Sequence, residues 1–148
     1  MSWDGYLDAH TWVLVDGTWW HVAPAADGDA PAGPGSTVVG HVITAHNPGG
    51  AWRSAADNAG AHAALVAACR ADATVTHPAW GGDPAGRWME LGLLVVGLDD
   101  EAARALGARF GQDAIYALAP GRRVLLACDG TVARTQAVRA EAGPPPVP

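Results

Sequence analysis

The stretch TVVGHVITAHNPGGAWRSAADNAGAHAALVAACR, residues 37–70, decides the reading of the fold. Thr37 to Ala45 is rich in β-branched residues and bounded by turn formers, so it reads as a largely buried strand. His46-Asn47-Pro48-Gly49-Gly50-Ala51-Trp52-Arg53 is a Gly-rich turn. A helix follows from about Ser54 to Arg70. Ser54 is a natural N-cap, and Asp57 three residues later makes a near capping box. Leu65, Val66 and Cys69 form its apolar stripe, which steps of three and four carry back to His62 and Asn58. Asn58 should therefore point inward.

Before this segment, Thr11–Val15 and Thr18–Val22 read as a hairpin across Asp16-Gly17, a pair suited to a type I′ turn. Residues 24–36 are a Pro/Gly/Asp-rich surface loop. Beyond the helix, Thr74–His77 is extended, Pro78–Gly86 is a loop, and Arg87–Leu98 is a long strand. A second helix starts near Asp99, with acidic residues in its first turn, Arg109 in its last and Gly111 as its stop. Ala114–Leu118 and Arg123–Cys128 pair across Pro120-Gly121, and Asp129-Gly130 turns toward one more edge strand. The expected fold is a single α+β domain over residues 1–142. It has a mainly antiparallel or mixed sheet, two helices packed on that sheet, and an N-terminal β-hairpin. The Pro-rich tail, residues 143–148, is expected to be disordered.

Composition narrows the function. Of 148 residues, 19 are glycine and 11 proline, which favours turns over a helical bundle. All nine basic residues are arginine, so lysine chemistry is excluded. The net charge of −6 disfavours a nucleic-acid partner. The longest run of large apolar residues, Leu91 to Leu98, is far shorter than the roughly 20 that a membrane helix needs. No signal peptide is evident, and Cys69 and Cys128 lack the spacing of zinc or redox sites. A cytoplasmic protein without membrane contact is expected, its oligomeric state open.

The turn between strand and helix is the first candidate site. A helix N-terminus offers free amide donors, Gly49 and Gly50 allow close approach, and Arg53 adds a bidentate cation. Asn47, Arg53, Ser54 and Asn58 are therefore candidates for holding a phosphate or carboxylate, or for ordering the loop. Glu90 is the second candidate, because a carboxylate between Trp88 and Gly92 in a core strand is paired, protonated or functional. The structural alternative is an ion pair with Arg53, Arg87 or Arg109. His46, at the strand end, is a candidate acid/base partner. Gln112 follows the second helix as a cap or ligand contact, and Trp52 and Trp88 are candidates to line a cleft. Histidines 41, 46, 62 and 77 lack metal-ligand spacing, so no metal is expected. No cofactor is expected either.

Thr44-Ala45-x-Asn47-Pro48, then Ser54 and Asn58, then Glu90, then Phe110-Gly111-Gln112-x-Ala114-Ile115 resemble a bacterial family, domain of unknown function three-two-nine-three. The resemblance runs from about Thr37 to Ile115. His46 departs from the usual aromatic, Asp57 from a glutamate, Gly50 from a serine, and Leu91-Gly92 from Pro-Ser. The resemblance implies a shared site around Asn47, Ser54, Asn58, Glu90 and Gln112 and no particular reaction. The expected function is binding of an anionic small molecule, with metal-independent acid/base chemistry by Glu90 and His46 if the protein is an enzyme. The alternative is a ligand sensor or a protein-interaction module that uses the Trp-rich hairpin.

Overall fold

A computed structural model describes residues 3–26 and 38–147. The hairpin forms as expected: β1 (His10–Val15) and β2 (Thr18–Pro24) pair antiparallel, with Val15 opposite Thr18. Asp16 and Gly17 both adopt positive φ, 51° and 79°, which the right-handed twist of a two-residue hairpin demands. A short helix, α1 (Asp4–Asp8), precedes the hairpin, and β3 (Gly40–Thr44), α2 (Ala55–Ala71), β4 (Val75–Gly82) and β5 (Met89–Val96) follow it. The chain continues through α3 (Asp100–Arg109), β6 (Ala114–Ala119), β7 (Arg122–Ala127) and β8 (Ala133–Ala142). Most of the expected surface loop, residues 27–36, and the expected strand start at Thr37 lie outside the described residues.

The expectation of an α+β sheet with two helices packed on it is overturned. The strands close into a barrel in the order β1-β2-β8-β7-β6-β3-β5-β4, antiparallel at each junction. Two segments close it. The stretch expected to leave the sheet at Pro78 continues as β4 to Gly82 and pairs with both β5 and β1. Pro78 is tolerated there because it lies just beyond the register with β1, which begins at Ala79. The expected edge strand is β8, ten residues that bridge β7 and β2. A closed barrel leaves no edge exposed.

Two apolar layers result. Val13, Val42, Leu94 and Leu118 fill the barrel, while Ile43, Leu93, Val95 and Ile115 point outward beneath Leu65 and Cys69 of α2 and Ala103 of α3. The central strands are thus apolar on both faces, which is why Leu93-Leu94-Val95 reads as a continuous run. Ser54 caps α2 by accepting from Asp57 N–H (3.0 Å), and Asp99 caps α3 by accepting from Ala102 N–H (2.7 Å). His41 Nε2 meets Asp100 Oδ1 at 2.8 Å and ties α3 to β3. In the Pro-rich tail, Gly143 N–H donates to Trp19 O (2.9 Å), and Pro145 is buried.

Gly92 marks the closest approach of two strands. A Cβ at this position would lie 2.5 Å from Ile43 O on β3. Gly92→Ala should therefore push β5 from β3 and lower stability by about 1–3 kcal/mol, read by urea denaturation. An unchanged midpoint would show that the strands can separate at no cost.

Candidate functional site

The Gly-rich turn is locked from three sides. Asn47 adopts left-handed backbone geometry (φ 46°, ψ 59°), which Asn tolerates better than most residues. Its N–H donates to Asn58 Oδ1 (2.9 Å), and Asn58 Nδ2 donates back to Asn47 Oδ1 (3.1 Å). Arg53 N–H donates to the same Asn47 oxygen (2.9 Å). Across the turn, Gln112 Nε2 donates to His46 O (3.0 Å), and Gly49 N–H donates to Gly111 O (2.8 Å). With its carbonyl spent on Arg53 and Asn58, the Asn47 amide has Nδ2 left, which donates to Glu90 Oε1 at 3.0 Å.

Glu90 lines a cavity of about 280 Å³ in the mouth of the barrel. The wall runs from Tyr6 and Ala9 at α1, over Val42 and Gly81, to Trp88 and Tyr116. Most of it is apolar. Burial pushes the Glu90 carboxyl above its ordinary pKa, and the hydrogen bond from Asn47 opposes the shift. Among the described residues Glu90 has no ion pair, for Arg87 is bound to Asp83 (2.6 Å). The arginine pairing weighed as the structural alternative is therefore not what holds this carboxylate.

The other sequence candidates divide into two groups. Asn47, Gln112, Trp88 and Glu90 line the cavity. Trp52 joins Trp88 and Glu90 around a smaller recess of about 130 Å³ beside it. Ser54 is occupied in capping α2, and Asn58 is buried and occupied with Asn47. The exposed Arg53 side chain does not line the cavity. His46 is not in the lining either. Its ring meets the His62 ring edge-on at 6.4 Å, and burial pushes its pKa down.

The residues outside the sequence reading are Tyr6, Asp113, Tyr116 and Arg123. Tyr116 OH donates to Tyr6 O (2.6 Å), and burial pushes the Tyr116 phenol up to about 12. Arg123 is fully buried, its guanidinium carbon 4.3 Å from the centroid of the Tyr116 ring. It donates to Thr11 Oγ1 (2.8 Å), Gln136 Oε1 (2.7 Å) and Ala9 O (2.7 Å). These bonds tether α1 across the end of the barrel. Strand parity with Leu118, opposite Arg123, offered one signal that this arginine faces inward.

Asn47, Asn58 and Glu90 are thus joined in one bonded unit, and Gln112 holds the neighbouring His46 carbonyl. Residues 43–115 match DUF3293. That family is described as a protein of unknown function (DUF3293). The DUF3293 match contains the bonded unit and stops one residue before Tyr116; Tyr6 and Arg123 also lie outside it. No curated protein and no solved structure matches the chain. No helix among the described residues is long and apolar enough to cross a membrane.

Proposed function

We propose that the protein binds a small organic molecule in the mouth of the barrel, with Glu90 as the group that reads it. The observation carrying this reading is a half-buried carboxylate, held by Asn47 and without an ion pair among the described residues, facing a mostly apolar cavity. Such a combination of apolar wall and few polar groups is the usual composition of a ligand site. The anion site expected at the start of α2 has less support, since Ser54 and Asn58 are engaged within the protein and no arginine lines the cavity among the described residues. The hairpin has less support as a partner surface, because Trp12 is buried against His21 while Trp19 and Trp20 are half-buried.

Acid/base chemistry fits the same site. A carboxyl whose pKa is raised by burial can exchange a proton with a bound ligand. Glu90 would act there without His46, whose ring lies against α2.

Gly81 offers a direct test, because it lines the cavity and a Cβ there meets nothing closer than His10 O at 4.0 Å. Gly81→Val should keep its melting temperature and lose the ligands found by an NMR fragment screen of the parent chain. Fragments that bind the variant as well as the parent would place their site elsewhere.

A further inference from the structure

We propose that the ligand is an organic cation with an apolar or aromatic body, its charged nitrogen held between the Glu90 carboxylate and the indoles of Trp52 and Trp88. The inference rests on the small-molecule reading above and names the chemical class. Three observations support it.

The first is charge. Glu90 and Asp113 are the acidic side chains of the lining, and no arginine or histidine joins them among the described residues. Arg123, a buried cation, stands behind Tyr116 and spends its donors on Thr11, Gln136 and Ala9. An anion entering the cavity would meet two carboxyl groups and no counter-charge. The second is the recess beside the cavity, which Trp52, Trp88, Met89 and Glu90 line together with Asn47. Trp52 is 80% and Trp88 39% exposed, two of the most exposed large apolar side chains described. Indole rings beside a carboxylate favour a cation, which the ring quadrupole attracts while the carboxylate supplies the full charge. The third is valence. Glu90 Oε1 accepts from Asn47, and no protein donor reaches Oε2 among the described residues. A neutral apolar ligand would bury that oxygen unpaired, at a cost that an ammonium N–H avoids.

The titratable groups facing Glu90 are Tyr6 from α1 and Asp113 and Tyr116 from β6 and its approach. None supplies a positive charge. A bound cation favours ionised Glu90, so affinity should rise as pH increases through the Glu90 pKa of the free protein, with proton release on binding.

The test uses the full chain, 15N-labelled, and three probes with one aromatic body: 2-phenylethylammonium, 2-phenylethanol and phenylacetate. Indole N–H signals of Trp52 and Trp88 report binding. The ammonium ion should bind about tenfold more tightly than the alcohol, with phenylacetate weakest. Trp52→Ala, at an exposed position, should weaken ammonium binding about threefold, and Glu90→Gln should remove the preference for ammonium over alcohol. Equal or tighter binding of the alcohol or the carboxylate, or an unchanged preference in Glu90→Gln, would overturn the proposal. If all three probes fail while uncharged fragments still shift the Trp88 signal, the cation class falls and the small-molecule reading stands. If probes and fragments both leave the cavity unperturbed, both fall.

Discussion

Arg123→Met should lower stability by about 3 kcal/mol, a fall in Tm of roughly 10 °C for a domain of this size. The side chain is fully buried, and its hydrogen bonds join three separate parts of the chain: Thr11 on β1, Gln136 on β8, and the carbonyls after α1. Methionine fills comparable space but offers no N–H, so Ala9 O and Gln136 Oε1 lose their donor. The Gln136 amide still donates to Leu7 O (2.9 Å), and Tyr116 OH still donates to Tyr6 O, so α1 should loosen rather than leave. Hydrogen exchange at residues 4–9 should rise more than at β3 or β5. A Tm within a degree of the parent would mean that the desolvation cost of burying the guanidinium, visible in its lowered pKa, cancels all that its hydrogen bonds contribute.

Glu90→Gln should have opposite effects on stability and binding. Glutamine can still accept from Asn47 Nδ2, so the turn keeps its contact. The cost of desolvating a charge disappears. Because burial raises the Glu90 pKa in the folded protein, the folded state binds this proton more tightly than the unfolded chain. The parent therefore loses stability as pH rises from below the unfolded pKa through the raised folded one. The variant should be more stable than the parent by about 1 kcal/mol at pH 7, and the gain should vanish in acid where both carry a neutral side chain. Ligand affinity should fall at least about tenfold at pH 7. Thermal melts between pH 3 and pH 8 with calorimetric titration would read both effects. A variant less stable than the parent at pH 7 would show that ionised Glu90 is well compensated inside the protein.

The local elements were legible because each carries its own chemistry. Asp16-Gly17 specifies a hairpin turn, Ser54 and Asp99 cap two helices, and Gly111 ends the second in left-handed geometry (φ 73°). Closure of the barrel was not legible. It depends on pairs such as Trp20 with Ala142, which no local pattern encodes, and on β4, whose proline and glycines resemble a loop. The polar group at the site was visible as unusual residues in apolar settings, with Asn58 on a helix stripe and Glu90 in a core strand. Their partners were less so. Asn47 and Asn58 look to one another, His46 faces His62, and the cavity wall from α1 comes from five residues too short to show a helical period. The N-terminal turn of α2 attracts attention in the sequence because its amides could hold an anion. In the folded chain Ser54 and Asn58 already have protein partners, and the open carboxylate lies in the barrel instead.

The most direct measurement is a crystallographic fragment screen of the parent protein at pH 7. Fragments should collect in the barrel mouth, with a polar atom within hydrogen-bonding distance of the Glu90 carboxylate and apolar atoms against Val42 and Tyr116. Fragments bound only at the outer face of the hairpin or at the start of α2, with the cavity holding solvent alone, would contradict it.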